Sequence, residues 1–365
     1  MTLLEPPSTR HDAESASASA PPADVIEPKF WTGTTRLSPD RYSIDAGARA
    51  VDAIVDGGGE LGERIRSCYH DTGLVVVTGT GLTDADSMRS LARLVLDEEM
   101  RYDGGANPRR RLSPNVYEVG APPSAWLHYH HEMAYVSRST AAVAFLALDA
   151  LPAGRGRTFV SDNLAATDAL LATPLGQKLN DLGLCYHRKL TDREEYAGRI
   201  EYGVYNHWQR SFGTEDPAVA AQRAEASGLE VEWGPNRVLH TRYLAPAYEY
   251  FPRLDRNVLY ASVADHAMWF DTWPLVEHLP VEHRPLDLTF GDGSAFTRDE
   301  LQLFVDVYDR FGTPIDWSVG DVAVICNYRF AHGRPRIDLA AGERRELGVV
   351  LGPSFDRVGV RHGRW

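Results

Sequence analysis

Three histidines and a glutamate crowd into five positions of "WLHYHHEMAY" (residues 126–135). Imidazoles and carboxylates ligate transition metals, and their spacing limits how they can do so. In an extended strand, residues two apart share a side, so His128, His130 and Glu132 fall on one face and His131 on the other. All three cannot close around one ion. Two steps of two residues span about 13 Å at about 3.3 Å per residue, whereas metal–ligand bonds are about 2 Å. A neighbouring pair can converge, either His130 with Glu132 or His128 with His130, and a third ligand must come from elsewhere. The helical zinc motif His-Glu-x-x-His is excluded, because Met133, Ala134 and Tyr135 follow Glu132. A His-x-Glu pair completed by a distant histidine is the pattern of the 2-His-1-carboxylate facial triad, which holds iron(II) with open positions. With thirteen histidines in the chain, such a triplet also arises by chance and needs supporting context.

The 365 residues suffice for two average domains or one large barrel-type domain with insertions. The composition, 43% apolar and 24% charged, is that of a globular protein. A net charge of −13 argues against a nucleic-acid partner, which would call for clustered lysine and arginine. The one dense basic run, Arg109-Arg110-Arg111, suits a solvated loop or a single anion contact. Cys68, Cys185 and Cys326 are too scattered for a disulfide framework or a cysteine zinc site. No apolar stretch reaches the length of a membrane span, and no basic segment followed by an apolar core opens the chain. A cytoplasmic location is expected.

Residues 1–28, with "ESASASAPPAD" among them, are rich in Ala, Ser and Pro and are expected to form a disordered leader. A domain over 29–365 follows. A helix ending near Asp71-Thr72-Gly73 leads into a buried strand at 74–78. "LTDADSMRSLARLVLDEEM" reads as a helix capped by Thr83, with Met88, Leu91, Leu94 and Val95 at helical spacing. "TAAVAFLALDAL" (140–151) has the apolar run of a central strand, though periodicity alone also allows a buried helix. The next helix is interrupted around Pro174, and another falls near 216–228. The segment around 186–310 reads as a helical and loop insertion. It ends in an amphipathic helix with a Thr297/Glu300 capping box and a closing Gly312. "GGGELG" (57–62) mimics a dinucleotide fingerprint, but a helical pattern precedes it where a strand is required, so the glycines read as a turn.

"NYRFAHGRPRI" (327–337) sets His332 just beyond a strand introduced by Trp317-Ser318-Val319-Gly320-Asp321. His-x-Glu, a long gap, then His-Gly-Arg after a Trp-x-x-Gly-Asp turn resembles the iron(II)/2-oxoglutarate oxygenases of the taurine dioxygenase family. The likeness is greatest to its clavaminate-synthase-like and syringomycin-type amino-acid hydroxylase branch. "YDGGANPRRRL" (102–112), "GRGRTFVSDN" (154–163) and "LHTRYLAPAYEYFPR" (239–253) resemble further segments of that branch, so the similarity runs from about residue 60 to 352.

The resemblance implies a mainly β fold with flanking helices around a double-stranded β-helix, a jelly-roll or cupin-like core. It implies His130, Glu132 and His332 as ligands of Fe(2+), with 2-oxoglutarate as co-substrate and O2 as oxidant. The far carboxylate of 2-oxoglutarate needs a fixed cation, a role suited to the planar fork of arginine. The matching position is Arg345 of "GERRELGVV", with Arg344 as the alternative, and Thr158 matches a threonine that contacts the same carboxylate. His128, Arg109, Arg110 and Arg242 are candidates for the substrate. Val349 stands where taurine dioxygenase has a sulfonate-binding arginine, which speaks against a sulfonate. Glu132 stands where related halogenases have a small residue, which speaks against halogenation. The expected reaction is hydroxylation of an unactivated C–H of an amino acid or amino-acid-derived intermediate, free or carrier-bound, in secondary metabolism such as antibiotic biosynthesis. Desaturation or cyclisation on the same iron centre, and a non-catalytic cupin-like binder, are the alternatives.

Overall fold

The computed structural model describes residues 25–33, 37–55, 57–102, 109–196, 207–272 and 284–365. Most of the expected leader thus lies outside the described residues. Ile26 is buried, and the backbone N–H groups of Lys29 and Phe30 donate to the Asp309 carboxylate at 2.6 and 2.9 Å.

Two antiparallel sheets build the core. The larger has seven strands in the order Ser43–Asp45, Leu74–Thr78, Val322–Cys326, Ala142–Asp149, Glu346–Leu351, Val116–Glu118 and Arg111–Ser113, with the first pair alone parallel. The smaller has four, in the order Gly312–Ile315, Thr158–Asp162, Phe330–Arg334 and Leu127–His130. Neighbours in each sheet come from distant parts of the chain, as in the jelly roll. The run 142–149, open to two interpretations in the sequence, is a strand buried on both faces. Val143, Phe145 and Ala147 join the core between the sheets, while Ala142, Ala144 and Leu146 pack beneath the helices Gly59–Thr72 and Ala85–Ala92.

Local signals explain most helix ends. Gly73, left-handed at φ 78°, closes the first long helix and turns the chain into Leu74–Thr78. The 85–92 helix is capped by Asp84, whose carboxylate accepts from Ser87 N–H, and not by Thr83. Thr173 and Pro174 split the next helix in two. The Thr297/Glu300 capping box opens Arg298–Arg310 as expected, but Gly312 does not close it. Phe311 is the cap, and Gly312 starts a strand where a Cβ would strike the Phe30 carbonyl and the Tyr129 hydroxyl.

The described part of the expected insertion is not mainly loop. It forms a separate sheet, in the order Glu230–Trp233, Leu239–Ala245, Leu184–Leu190 and Leu286–Phe290, and a hairpin of Tyr248–Phe251 with Arg256–Leu259. The short helix Val263–Met268 packs against both Leu286–Phe290 and Leu127–His130, which carries it to the mouth of the core. Among the described residues, no helix is long and apolar enough to cross a membrane.

Candidate metal centre

The strands Leu127–His130 and Phe330–Arg334 lie side by side, and His130 is registered directly against His332. Their ring centroids are 4.4 Å apart. Glu132 follows the first strand by two residues, just before Met133 turns the chain at a positive φ of 59°. Its Oε2 lies 3.7 Å from His332 Nε2. One ligand atom from each of His130, Glu132 and His332 falls within 4.8 Å of the others, and among the described residues no other trio of His, Cys, Asp or Glu converges in this way. Two imidazoles and a carboxylate on one side of a space fit a facial site for iron(II).

Hydrogen bonds from surrounding groups fix two of the three donors. His130 Nδ1 donates to the His128 carbonyl at 2.8 Å, which leaves Nε2 bare to act as a ligand. Glu132 Oε1 accepts from Arg109 Nη2 at 3.0 Å, so its second oxygen is the one turned toward His332. Burial opposes the charge on Glu132, but Arg109 and the two imidazoles outweigh it and hold the carboxyl below its usual range. His332 is driven down to about 4 by burial and by the neighbouring His130, so it is a neutral donor at physiological pH.

The backbone of Glu132 is clamped as firmly. Asn327 Oδ1 accepts its N–H at 3.0 Å, while Asn327 Nδ2 donates to its carbonyl at 2.9 Å and to Thr140 O at 2.9 Å. Tyr260 Oη donates toward the same two carbonyls at 3.3 and 2.9 Å. Both side chains are fully buried. Gly333 lets the two ligand strands approach, since a Cβ there would lie 2.6 Å from Leu127 O and 3.1 Å from His128 O. Gly333→Ala is accordingly expected to lower stability by about 1–3 kcal/mol. A thermal melt unchanged from wild type would show that the strands are not in such tight contact.

A second constellation sits beside the triad. Arg345 Nη2 donates to Thr158 Oγ1 at 3.2 Å and its Nε to Gly156 O at 2.7 Å. Trp317 Nε1 also donates to Thr158 Oγ1, at 3.1 Å. With both lone pairs of that oxygen occupied, the hydroxyl proton is left to be given to an anion. Burial lowers Arg345 to about 10, which still leaves it charged. Arg345, Thr158, His130, Glu132 and His332 line one cleft.

The remaining sequence candidates divide. Arg109 lines the cleft and lies 4.2 Å over the Tyr102 ring. Arg344 does not enter it; one residue from Arg345 along the chain, it faces solvent and pairs with Asp149 and Glu346. Arg110 is exposed between Glu118 and Glu346, and Arg242 is exposed beside Glu230 on the separate sheet. His128 is buried outside the cleft, where its Nε2 accepts from Trp126 Nε1 at 3.3 Å. His131, as expected, turns away, with Nδ1 2.9 Å from Ala261 O. Among the aromatics, Tyr135 and Trp269 line the cleft, whereas Trp208 and Phe270 fill the core.

Several site residues were not singled out from the sequence. Asn327 and Arg334 lay within quoted motifs but carried no assigned role. Buried Arg334 donates to the carbonyls of Ala121, Pro122 and Ala125 at 3.1, 2.7 and 2.6 Å, tying down the segment that rims the cleft. Tyr260, Ser262, Asp265 and His266 come from more than a hundred residues beyond the metal strand, with no local signal.

The taurine catabolism dioxygenase TauD, TfdA family matches residues 46–351. A clavaminate synthase-like protein of Arabidopsis thaliana is 27% identical over 281 residues, covering 74% of this chain and 80% of that protein. An asparagine oxygenase, solved with Fe(II), 2S,3S-3-hydroxyasparagine and succinate, superposes with a TM-score of 0.49 at 12% identity, covering 85% of this chain and 93% of the other. For a taurine dioxygenase from Burkholderia xenovorans the TM-score is 0.45 at 16% identity, with 81% of each chain covered.

Proposed function

The chain belongs to the taurine catabolism dioxygenase TauD, TfdA family and is an iron(II)- and 2-oxoglutarate-dependent dioxygenase, and we propose that it hydroxylates an unactivated C–H of an amino acid or amino-acid-derived intermediate. The setting we propose is cytoplasmic secondary metabolism. Bound iron(II) with 2-oxoglutarate and O2 supplies the oxidising power for that step, the co-substrate leaving as succinate and carbon dioxide.

In this reading His130, Glu132 and His332 hold the metal. The observation that carries it is the convergence of their ligand atoms within 4.8 Å, with His130 and Glu132 each oriented by a neighbouring group. Arg345 and the free hydroxyl proton of Thr158 take the far carboxylate of 2-oxoglutarate. A cation and a donor built for that anion have no use in a binder that lacks the co-substrate. Arg109 orients Glu132 through Nη2, and its Nε and Nη1 have no partner among the described residues, so a substrate carboxylate can accept from one of them. Val349 lines the same cleft, so an apolar side chain occupies the position a sulfonate-binding arginine would need.

The test is 2-oxoglutarate consumption under air with ferrous iron, screened over amino acids and carrier-bound aminoacyl thioesters. Substrate-stimulated succinate release with a hydroxylated product is expected; no stimulation by any of them would reject the substrate class. Asn327→Ala is expected to weaken iron(II) affinity about 10–100-fold in an anaerobic titration, because the Glu132 peptide loses both of its amide contacts. Unchanged affinity would deny Asn327 this role.

A further inference from the structure

The helix Val263–Met268 brings a second acid to the cleft. Apart from the ligand Glu132, Asp265 is the one carboxylate lining it among the described residues. Its Oδ1 is buried and has no hydrogen-bond partner among them. The charge of Arg334 reaches Asp265, yet Arg334 spends Nη1 and Nη2 on backbone carbonyls, and no ion pair between the two is formed. The backbone N–H of His128 helps to hold the acid. A desolvated carboxylate oxygen left without a donor costs free energy that the folded chain does not recover by itself. The neighbouring polar groups are of the same kind. His266 holds Ser262 Oγ through Nδ1 at 2.9 Å, and its Nε2 is buried and unpartnered. Burial drives that imidazole down to about 3, so it adds no competing cation.

We propose that Asp265 receives the ammonium group of the substrate, so that the cleft selects a zwitterionic amino acid with its amine free and its carboxylate on Arg109. The assignment rests on the oxygenase reading above and sharpens it: a substrate carried as a thioester has no carboxylate for the two Arg109 nitrogens that have no partner among the described residues. The unpartnered Oδ1 of Asp265 is open to a donor, and a primary ammonium offers three. The requirement on the substrate is therefore chemical: one amine, one carboxylate, both free.

The experiment uses the full chain loaded with ferrous iron and 2-oxoglutarate, with oxygen excluded so that binding is read without turnover. The probes are the twenty proteinogenic L-amino acids and the matching des-amino carboxylic acids. Wild type is expected to bind at least one amino acid about 30-fold or more tightly than its des-amino counterpart. D265N should reduce that ratio to about 3-fold or less while leaving 2-oxoglutarate affinity unchanged, and D265E should restore part of it. A ratio retained in D265N, or the absence of any amine preference in wild type, overturns the proposal. Succinate release under air with an unchanged amine preference in D265N would remove Asp265 and leave the hydroxylase standing. The expected anaerobic preference without any 2-oxoglutarate consumption would do the reverse.

Discussion

Glu132→Ala and His332→Ala should each lower substrate-dependent succinate release by about a thousandfold or more, equivalent to about 4 kcal/mol of lost transition-state stabilisation. The two variants are needed together because they differ in what else they disturb. Removing Glu132 leaves Arg109 as a buried cation without its partner, which on its own costs about 3–5 kcal/mol of stability. Removing His332 leaves no such charge, since burial keeps that imidazole neutral. A loss of activity in His332→Ala with the melting temperature nearly unchanged therefore isolates the metal from the fold. Glu132→Gln keeps the shape and an acceptor for Arg109, and should be as inactive as Glu132→Ala but more stable. Full turnover in any of the three would reject the ligand assignment.

Arg345→Gln is expected to raise the KM for 2-oxoglutarate by about 100-fold or more, since removing one side of a buried charged contact costs about 2–5 kcal/mol. At saturating 2-oxoglutarate most of kcat should return, because the amide does not alter the metal ligands. Thr158→Val should act in the same direction by about 10-fold, through loss of the one hydroxyl donor. Arg344→Gln serves as the control. Its side chain faces solvent beside Asp149 and Glu346, and a KM within about twofold of wild type is expected. If the Arg344 variant carries the large effect, the co-substrate subsite has been misassigned.

How far the sequence could be read depended on whether a signal was local. Leu74–Thr78 and the helix before it stand out because an apolar run and a left-handed glycine adjoin. The Thr297/Glu300 box is visible for the same reason. The triad was legible as residue types at a spacing, and its convergence follows from a strand pairing that only the folded sheet supplies. His128 illustrates the limit. Alternation by twos puts it on the same face as His130, but the pairing register shifts between His332 and Arg334, so Gly333 of one strand opposes both Tyr129 and His128 of the other. Such a bulge breaks the period on which the expectation rested. His128 consequently lies under Trp126, outside the cleft. Arg242 and Arg110 were chosen for charge alone, and charge does not say which way a side chain points. Asp265 and Tyr260 reach the site through tertiary packing of a distant helix and hairpin, which leaves no pattern near the metal strand.

The most direct test is anomalous X-ray diffraction from crystals of the full chain grown without oxygen in ferrous iron and 2-oxoglutarate. A single iron about 2 Å from His130 Nε2, a Glu132 carboxylate oxygen and His332 Nε2 is the predicted result. Iron bound through His128 or His131, or iron beyond bonding reach of His332, would contradict it.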